Sequence, residues 1–90
     1  MALTPAQSRA ARGLLNWSVA MLAEQTGLAI NTVRRAESDD DGARITSANS
    51  DMIRSTLANA GVIFIDADDL GPGVRLKDLK PTARKRRREA

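Results

Sequence analysis

The sequence predicts a mainly α-helical fold of four to five helices followed by a C-terminal β-hairpin. Capping residues and glycines divide residues 1–61 into short segments whose apolar residues recur with a helical period. After Gly61 the residues become β-branched and aromatic, which favours strands. From residue 80 onwards the chain is charged and featureless, which is typical of a disordered tail.

The first helix is predicted to begin at Thr4, which forms a capping box with Gln7 and precedes a proline suited to the first helical position. The helix continues to Leu15. Its inward face is predicted to hold Ala6, Ala10, Leu14 and either Leu3 or Ala11.

A second helix is predicted from Val19 to Thr26, with Ser18 as its N-cap and Gly27 at its end. A third helix follows, from about Ile30 to Ser38. The residues of this pair that should face the core are Val19, Leu22, Ala23, Leu28, Val33 and Ala36.

An acidic loop at residues 38–42 separates the third helix from a fourth, which begins at Thr46 or Ser47 and ends before Gly61. Its inward face is predicted to comprise Asn49, Met52, Ile53, Thr56, Leu57 and Ala60, with Ile45 just ahead of it. Two strands, residues 62–65 and 74–77, then form a hairpin. The chain therefore divides into a helical body of residues 1–61, a hairpin of residues 62–79 and a disordered basic tail of residues 80–90.

Composition excludes several classes of function. The 90 residues contain no cysteine, histidine or tyrosine, which removes thiolate metal sites and the usual general base at neutral pH. We therefore expect no enzymatic activity, no metal ion and no cofactor. No apolar run approaches the ~20 residues of a membrane span, and the N-terminus lacks the pattern of a signal peptide. We expect a cytoplasmic protein that does not contact a membrane.

The net positive charge of the chain comes from the tail. Residues 1–79 carry 8 Lys and Arg against 10 Asp and Glu, a net charge of −2, whereas residues 80–90 carry 6 against 1, a net charge of +5. The basic pI of about 10.2 is therefore weak evidence for a nucleic-acid-binding face on the body.

The spacing of small and apolar residues across the second and third helices predicts a helix-turn-helix. Ala23 supplies the small residue at the helix crossing, and Gly27 supplies a residue that tolerates positive φ four positions later. Leu28 and Val33 supply the apolar contacts after the turn. Each signal is weak alone, but together they lie in the required register.

The segments that carry this pattern resemble the lambda-repressor-like (Cro and xenobiotic-response-element) helix-turn-helix family. They are Leu15-Asn-Trp-Ser18, Leu22-Ala-Glu-Gln-Thr-Gly-Leu28 and Thr32-Val-Arg-Arg-Ala-Glu37. The resemblance covers about residues 4–61, and residues 61–66 and 71–76 resemble a compact subgroup that adds a hairpin. It implies a compact helical bundle, a recognition helix in the DNA major groove and dimers on inverted repeats.

The resemblance also implies a structural ion pair between Arg12 and Glu37. Three features depart from the family pattern. Val19 stands where a phosphate-binding glutamine is frequent, Ala29 stands where a serine or threonine usually caps the recognition helix, and the acidic run Asp39–Asp41 would be repelled by phosphates.

With Val33 and Ala36 inward, the third helix turns its other face outward. The predicted base contacts on that face are Ile30, Asn31, Arg34 and Arg35. Arginine suits guanine, asparagine suits adenine and isoleucine suits a thymine methyl group. The alternative is that Arg34 and Arg35 are simply a solvated helix face. Trp17 is expected in the core rather than stacked on a base.

Phosphate contacts are predicted from the body and from the tail. The candidates are Asn16, Ser18, Thr32, Arg84, Lys85, Arg86, Arg87 and Arg88. The alternative for the tail is a solvated segment that does not touch DNA.

The hairpin is apolar on both faces, and one face needs a cover other than the body's own helices. We expect a symmetric homodimer whose interface includes Val62, Ile63, Phe64, Ile65, Val74 and Leu76. The alternative is a monomer whose helices cover more of the sheet. A dimer would separate two recognition helices by about 34 Å, one turn of the duplex.

These observations predict a sequence-specific transcriptional regulator that binds inverted-repeat operator DNA as a homodimer. An antitoxin-like or other protein-interaction module with secondary DNA binding is the first alternative. An architectural or excision factor that uses the basic tail is the second.

Overall fold

The computed structural model of the protein describes residues 3–40 and 44–78. Four helices and one antiparallel hairpin make up this part of the chain, which confirms the mainly helical class. The predicted tail and residues 41–43 of the acidic loop lie outside the described residues. The elements are α1 (Pro5–Leu15), α2 (Val19–Thr26), α3 (Ile30–Ala36), α4 (Ser47–Asn59), β1 (Val62–Ile65) and β2 (Gly73–Leu76).

Side-chain caps begin three of the four helices. The predicted capping box is present at α1, where Thr4 Oγ1 accepts from Gln7 N at 3.0 Å and Gln7 Oε1 accepts from Thr4 N at 3.1 Å. Ser18 caps α2 and Thr46 caps α4 in the same way. Ala29 precedes α3 with extended backbone and no side-chain hydrogen bond, so α3 begins without a cap.

Left-handed residues end α1 and α2. Asn16 (φ 59°) terminates α1, and Gly27 (φ 79°) terminates α2 as predicted. The third helix is shorter than predicted and ends at Ala36, because Glu37 leaves helical geometry with φ −101° and ψ 6°.

The core lies where the four helices meet the inner side of the hairpin. Nine buried apolar side chains form it: Ala11, Leu15, Leu22, Ala23, Val33, Ala36, Ile53, Leu57 and Val62. The inward residues predicted for α2 and α3 are consistent with this core, and Val19 and Leu28 pack against it as half-buried side chains.

The predicted inward face of α1 is wrong by about one residue. Three of its predicted members are exposed: Ala6, Ala10 and Leu14. The side chains that α1 buries are Gln7, Ser8, Ala11 and Leu15. Gln7 and Ser8 turn inward because both find hydrogen-bond partners on other elements, and those partners offset the cost of burying polar groups.

The predicted inward face of α4 is correct at its centre and too wide at its edges. Ile53 and Leu57 are fully buried, and Ile45 packs against the core from the preceding loop. Met52 is 47% exposed, which corrects its predicted burial. It lies about 100° around the helix from Ile53 and therefore falls outside the narrow buried stripe.

The hairpin pairs Val62 with Leu76 and Ile65 with Gly73 in antiparallel register. β2 begins one residue earlier than predicted, at Gly73. The Gln7 side-chain amide donates to the carbonyl oxygens of Ile65 (3.2 Å) and Gly73 (3.1 Å), so one residue of α1 binds both strands. On the α4 side, the Arg54 guanidinium lies 4.7 Å from the centre of the Phe64 ring.

Candidate nucleic-acid interface

The second and third helices pack together across a short turn at residues 27–29. Ala23 is 5% exposed and Val33 is fully buried, so small and apolar side chains meet where the helices pack together. Gly27 takes positive φ between them, and Thr26 Oγ1 accepts from Leu28 N at 3.2 Å. These contacts fix the direction in which α3 leaves the turn.

The outward side of α3 carries the four residues predicted to contact bases. Ile30 is 43% exposed, and Asn31, Arg34 and Arg35 are exposed as well. An open surface depression of about 400 Å³ is lined by Asn31, Arg34, Arg35 and Ser38. The structure therefore brings three of the four predicted residues together on one open, shallow surface, with two guanidinium groups and one amide as hydrogen-bonding groups.

The body residues predicted to contact phosphates lie at helix ends and on the flank of α3. Asn16 and Ser18 are exposed on either side of Trp17, and Thr32 is half-buried. Ser18 Oγ accepts from Met21 N at 3.0 Å, and its own proton stays free to be donated. The tail residues predicted for the same role, Arg84, Lys85, Arg86, Arg87 and Arg88, lie outside the described residues.

Arg12 and Glu37 form the ion pair that the family resemblance implies. Arg12 Nε and Nη2 bind the two carboxylate oxygens at 2.7–3.0 Å, and the side chains are 20% and 6% exposed. The hydrogen bonds to Glu37 raise the pKa of the Arg12 guanidinium, so Arg12 keeps its charge. The pair joins α1 to the residue that directly follows α3.

Two further residues of α1 bind this end of α3, and the sequence reading missed both. The fully buried Ser8 Oγ donates to Glu37 Oε2 at 2.7 Å. Arg9 Nη1 donates to the Glu37 carbonyl oxygen at 2.6 Å and lies 3.4 Å from Asp39 Oδ1. The signal was the i, i+1, i+4 spacing of Ser8, Arg9 and Arg12, which places all three within an arc of about 100° around the helix.

Asp39 is thereby partly neutralised. Its carboxylate pairs with Arg9, although both side chains are exposed and the pair adds little stability. The repulsion that the sequence predicts between the acidic run and phosphates is reduced at this residue.

Trp17 packs against the core, as expected, and is half-buried. Its carbonyl oxygen accepts from Arg12 Nη1 at 3.1 Å, so the backbone of this residue belongs to the same network that holds α3.

The six hairpin residues assigned to a dimer interface divide between the two faces of the sheet. Four of them turn toward the protein's own core: Val62, Phe64, Val74 and Leu76. Ile63 (44% exposed) and the half-buried Ile65 lie on the opposite face. Only these two supply an apolar outward surface on the strands.

Within residues 3–40 and 44–78, no group of three or more acidic side chains is arranged to hold a metal ion. The helices in this part of the chain are all too short or too polar to cross a membrane. Comparison with family models, with curated proteins and with solved structures finds no match to this chain.

Proposed function

We propose that this protein is a lambda-repressor-like, sequence-specific DNA-binding transcriptional regulator. In this proposal α3 enters the major groove, and two copies bind an inverted-repeat operator with their recognition helices about 34 Å apart. The observation that carries the proposal is the depression lined by Asn31, Arg34 and Arg35 on the exposed side of α3.

The chemistry of this surface supports base recognition. A guanidinium group donates two parallel hydrogen bonds to guanine, and a carboxamide both donates to and accepts from adenine. The side chains of Arg34 and Arg35 make no hydrogen bond or ion pair among the described residues, so both guanidinium groups are free for such contacts. The uncharged Ile30 at the start of α3 suits the methyl group of thymine.

The fixed position of α3 supports the same proposal. Ser8, Arg9 and Arg12 of α1 all bind Glu37, which directly follows the recognition helix. A short helix held at its end keeps its side chains in one orientation, which direct readout of bases requires. Residues 1–79 are slightly acidic overall, so the affinity contributed by nonspecific attraction to phosphates is small for this part of the chain.

Selection of bound sequences from a random pool of duplex DNA tests the proposal. We expect an enriched inverted repeat whose half-sites contain guanine at the positions contacted by Arg34 or Arg35. The enriched site is then measured by fluorescence anisotropy with the wild-type protein and with the Arg34→Ala/Arg35→Ala variant. Failure to enrich any sequence over nonspecific duplex would overturn sequence-specific binding, and enrichment of an unrepeated half-site would overturn the dimer.

A further inference from the structure

The outward face of the hairpin has an apolar centre that the protein's own helices leave uncovered. Ile63 is 44% exposed on this face, and Ile65 lies two residues further along the same strand. The residue opposite Ile65 is Gly73, which has no side chain to cover it, and the residue opposite Ile63 is Arg75. A pair of isoleucines on one side of a two-stranded sheet needs a second layer to exclude water from it.

Charge is distributed unequally along the same hairpin. We name residues 66–70 the hairpin tip and the pair Arg75 and Lys77 the hairpin base. The tip contains Asp66, Asp68 and Asp69 and no basic residue. Arg75 and Lys77 alternate with inward-facing residues and so lie on the outward face, near the other end of the strands.

Most of these charges are not satisfied within the described part of the protein. Asp66 lies 3.6 Å from Arg54, and Asp68 accepts from Leu70 N at 2.8 Å. The side chains of Asp69, Arg75 and Lys77 have no hydrogen bond or ion pair there, while Asp78, which follows the base, is already engaged. Leu70 at the tip is 94% exposed, the largest exposure among the big apolar side chains of the described residues.

A surface that is acidic at one end, apolar in the middle and basic at the other end is complementary to itself after a rotation of 180°. We propose that the outward face of the hairpin binds the same face of a second copy in antiparallel orientation. Ile63 and Ile65 then pack against their equivalents, and each acidic tip lies over the partner's basic base. A tip-to-tip arrangement would place like charges together, which disfavours that orientation.

This inference specifies the interface and the orientation of the homodimer in the proposed function, and it rests on that function only for the role of the dimer on DNA. The contact is isologous, so each charge pair occurs twice and the assembly closes at two copies. The four inward hairpin residues remain in the core of each copy and take no part in it.

Two variants test the orientation. The tip variant, Asp68→Asn/Asp69→Lys, makes the tip less acidic while an oxygen at position 68 still accepts from Leu70 N. The base variant, Arg75→Glu/Lys77→Glu, makes the base acidic. In a homodimer of either variant alone, the tip of one copy and the base of the other no longer carry opposite charges. In a heterodimer formed from an equimolar mixture, the unchanged acidic tip of one copy lies over the unchanged basic base of the other. The opposite end pairs a neutral tip with an acidic base, so one of the two attractive contacts is restored.

The measurement is sedimentation equilibrium without DNA at low ionic strength, over micromolar to millimolar chain concentrations. Wild type is expected to form dimers, and each variant alone is expected to raise the dissociation constant at least about tenfold. The mixture is expected to associate at least about tenfold more tightly than either variant alone. A monomeric wild type, variants that associate as wild type does, or a mixture no tighter than its components would each overturn the proposal.

Matched substitutions of exposed apolar residues test the centre of the face. Ile63→Ser is expected to weaken the dimer, and Met21→Ser on α2, where the side chain is 38% exposed, is expected to leave it unchanged. Equal effects of the two would contradict the interface. Circular dichroism confirms that each variant is folded. Because no DNA is present, loss of the dimer is distinguished from loss of sequence recognition, which the selection experiment measures separately.

Discussion

Arg12 of α1 donates hydrogen bonds to both carboxylate oxygens of Glu37, the residue that directly follows α3. The two side chains are largely buried, and the carboxylate also accepts from Ser8 Oγ. The first helix of the chain therefore determines the position of the helix that we propose reads DNA.

Removing the charge of Glu37 should destabilise the fold strongly. Glu37→Gln leaves the guanidinium of Arg12 buried without its counter-ion, at a cost of about 3 kcal/mol in the free energy of unfolding. Asp39→Asn, which breaks the exposed pair with Arg9, should cost less than about 1 kcal/mol. Urea denaturation measures both. Equal losses from the two variants would show that the buried pair has no special role.

A negative charge at Gln7 should detach the hairpin from α1. Gln7→Glu keeps the acceptor of the capping box, but it removes the donor to two carbonyl oxygens and places a carboxylate against them. We expect the free energy of unfolding to fall by about 1–3 kcal/mol. Amide hydrogen exchange should increase most in β1 and β2. Gln25→Glu on the exposed side of α2 is the control. Unchanged exchange in the strands of the Gln7 variant would contradict this role.

A cap at the start of α3 should stabilise the protein. Ala29 already has extended backbone and is exposed, so the serine in Ala29→Ser can accept a hydrogen bond from the first turn without rearrangement. The expected gain is about 1 kcal/mol, or about 4–8 °C in Tm. Ala20→Ser, at an exposed position within α2, provides the comparison and should give no gain. A Tm for Ala29→Ser at or below wild type would refute the expectation.

Two glycine-to-alanine substitutions should have opposite signs. Neither glycine has an atom within 4 Å of the position a Cβ would take, so packing does not separate them. Gly27 has φ of +79°, which costs alanine about 1–2 kcal/mol, whereas Gly13 lies within α1, where alanine gains about 0.5–1 kcal/mol. Thermal denaturation of both variants checks this. The same sign for both would show that backbone conformation does not control these positions.

Charge-conserving substitutions should separate base contacts from phosphate contacts on α3. Arg34→Lys and Arg35→Lys keep the positive charge but lose the two parallel donors that suit guanine. For an arginine that contacts a base, we expect the lysine variant to lose about 1–3 kcal/mol of binding free energy on the selected operator. Its binding to nonspecific duplex should change little. Both side chains are exposed, so Tm should not change. Equal weakening on both kinds of DNA would assign that arginine to the phosphate backbone.

The starts of α1, α2 and α4 and the end of α2 were predictable because the signals for them are local. Thr4, Ser18 and Thr46 each accept from a backbone N–H three residues ahead, and Gly27 needs only its own freedom of φ. The same locality explains why the outward face of α3 was predictable, since Val33 alone fixes the rotation of such a short helix.

The burial of α1 was not predictable from its own residues. Gln7 and Ser8 are polar, and a hydrophobic pattern turns them toward water. They are buried because their partners lie 66 and 29 residues away, at Gly73 and Glu37. Which face of the hairpin is buried was not predictable for the same reason. It depends on the side of the sheet against which the helices pack.

The hydrogen bonds of Gln7 also have a consequence for synthesis of the chain. The ribosome adds about 5–20 residues per second, so Gly73 is made several seconds after Gln7. Throughout that interval the Gln7 amide lacks one of the two carbonyl oxygens that it binds in the folded protein, so α1 cannot yet adopt its final packing. The packing of α1 must therefore wait for β2, and the described part of the chain completes its fold only after that strand has been made.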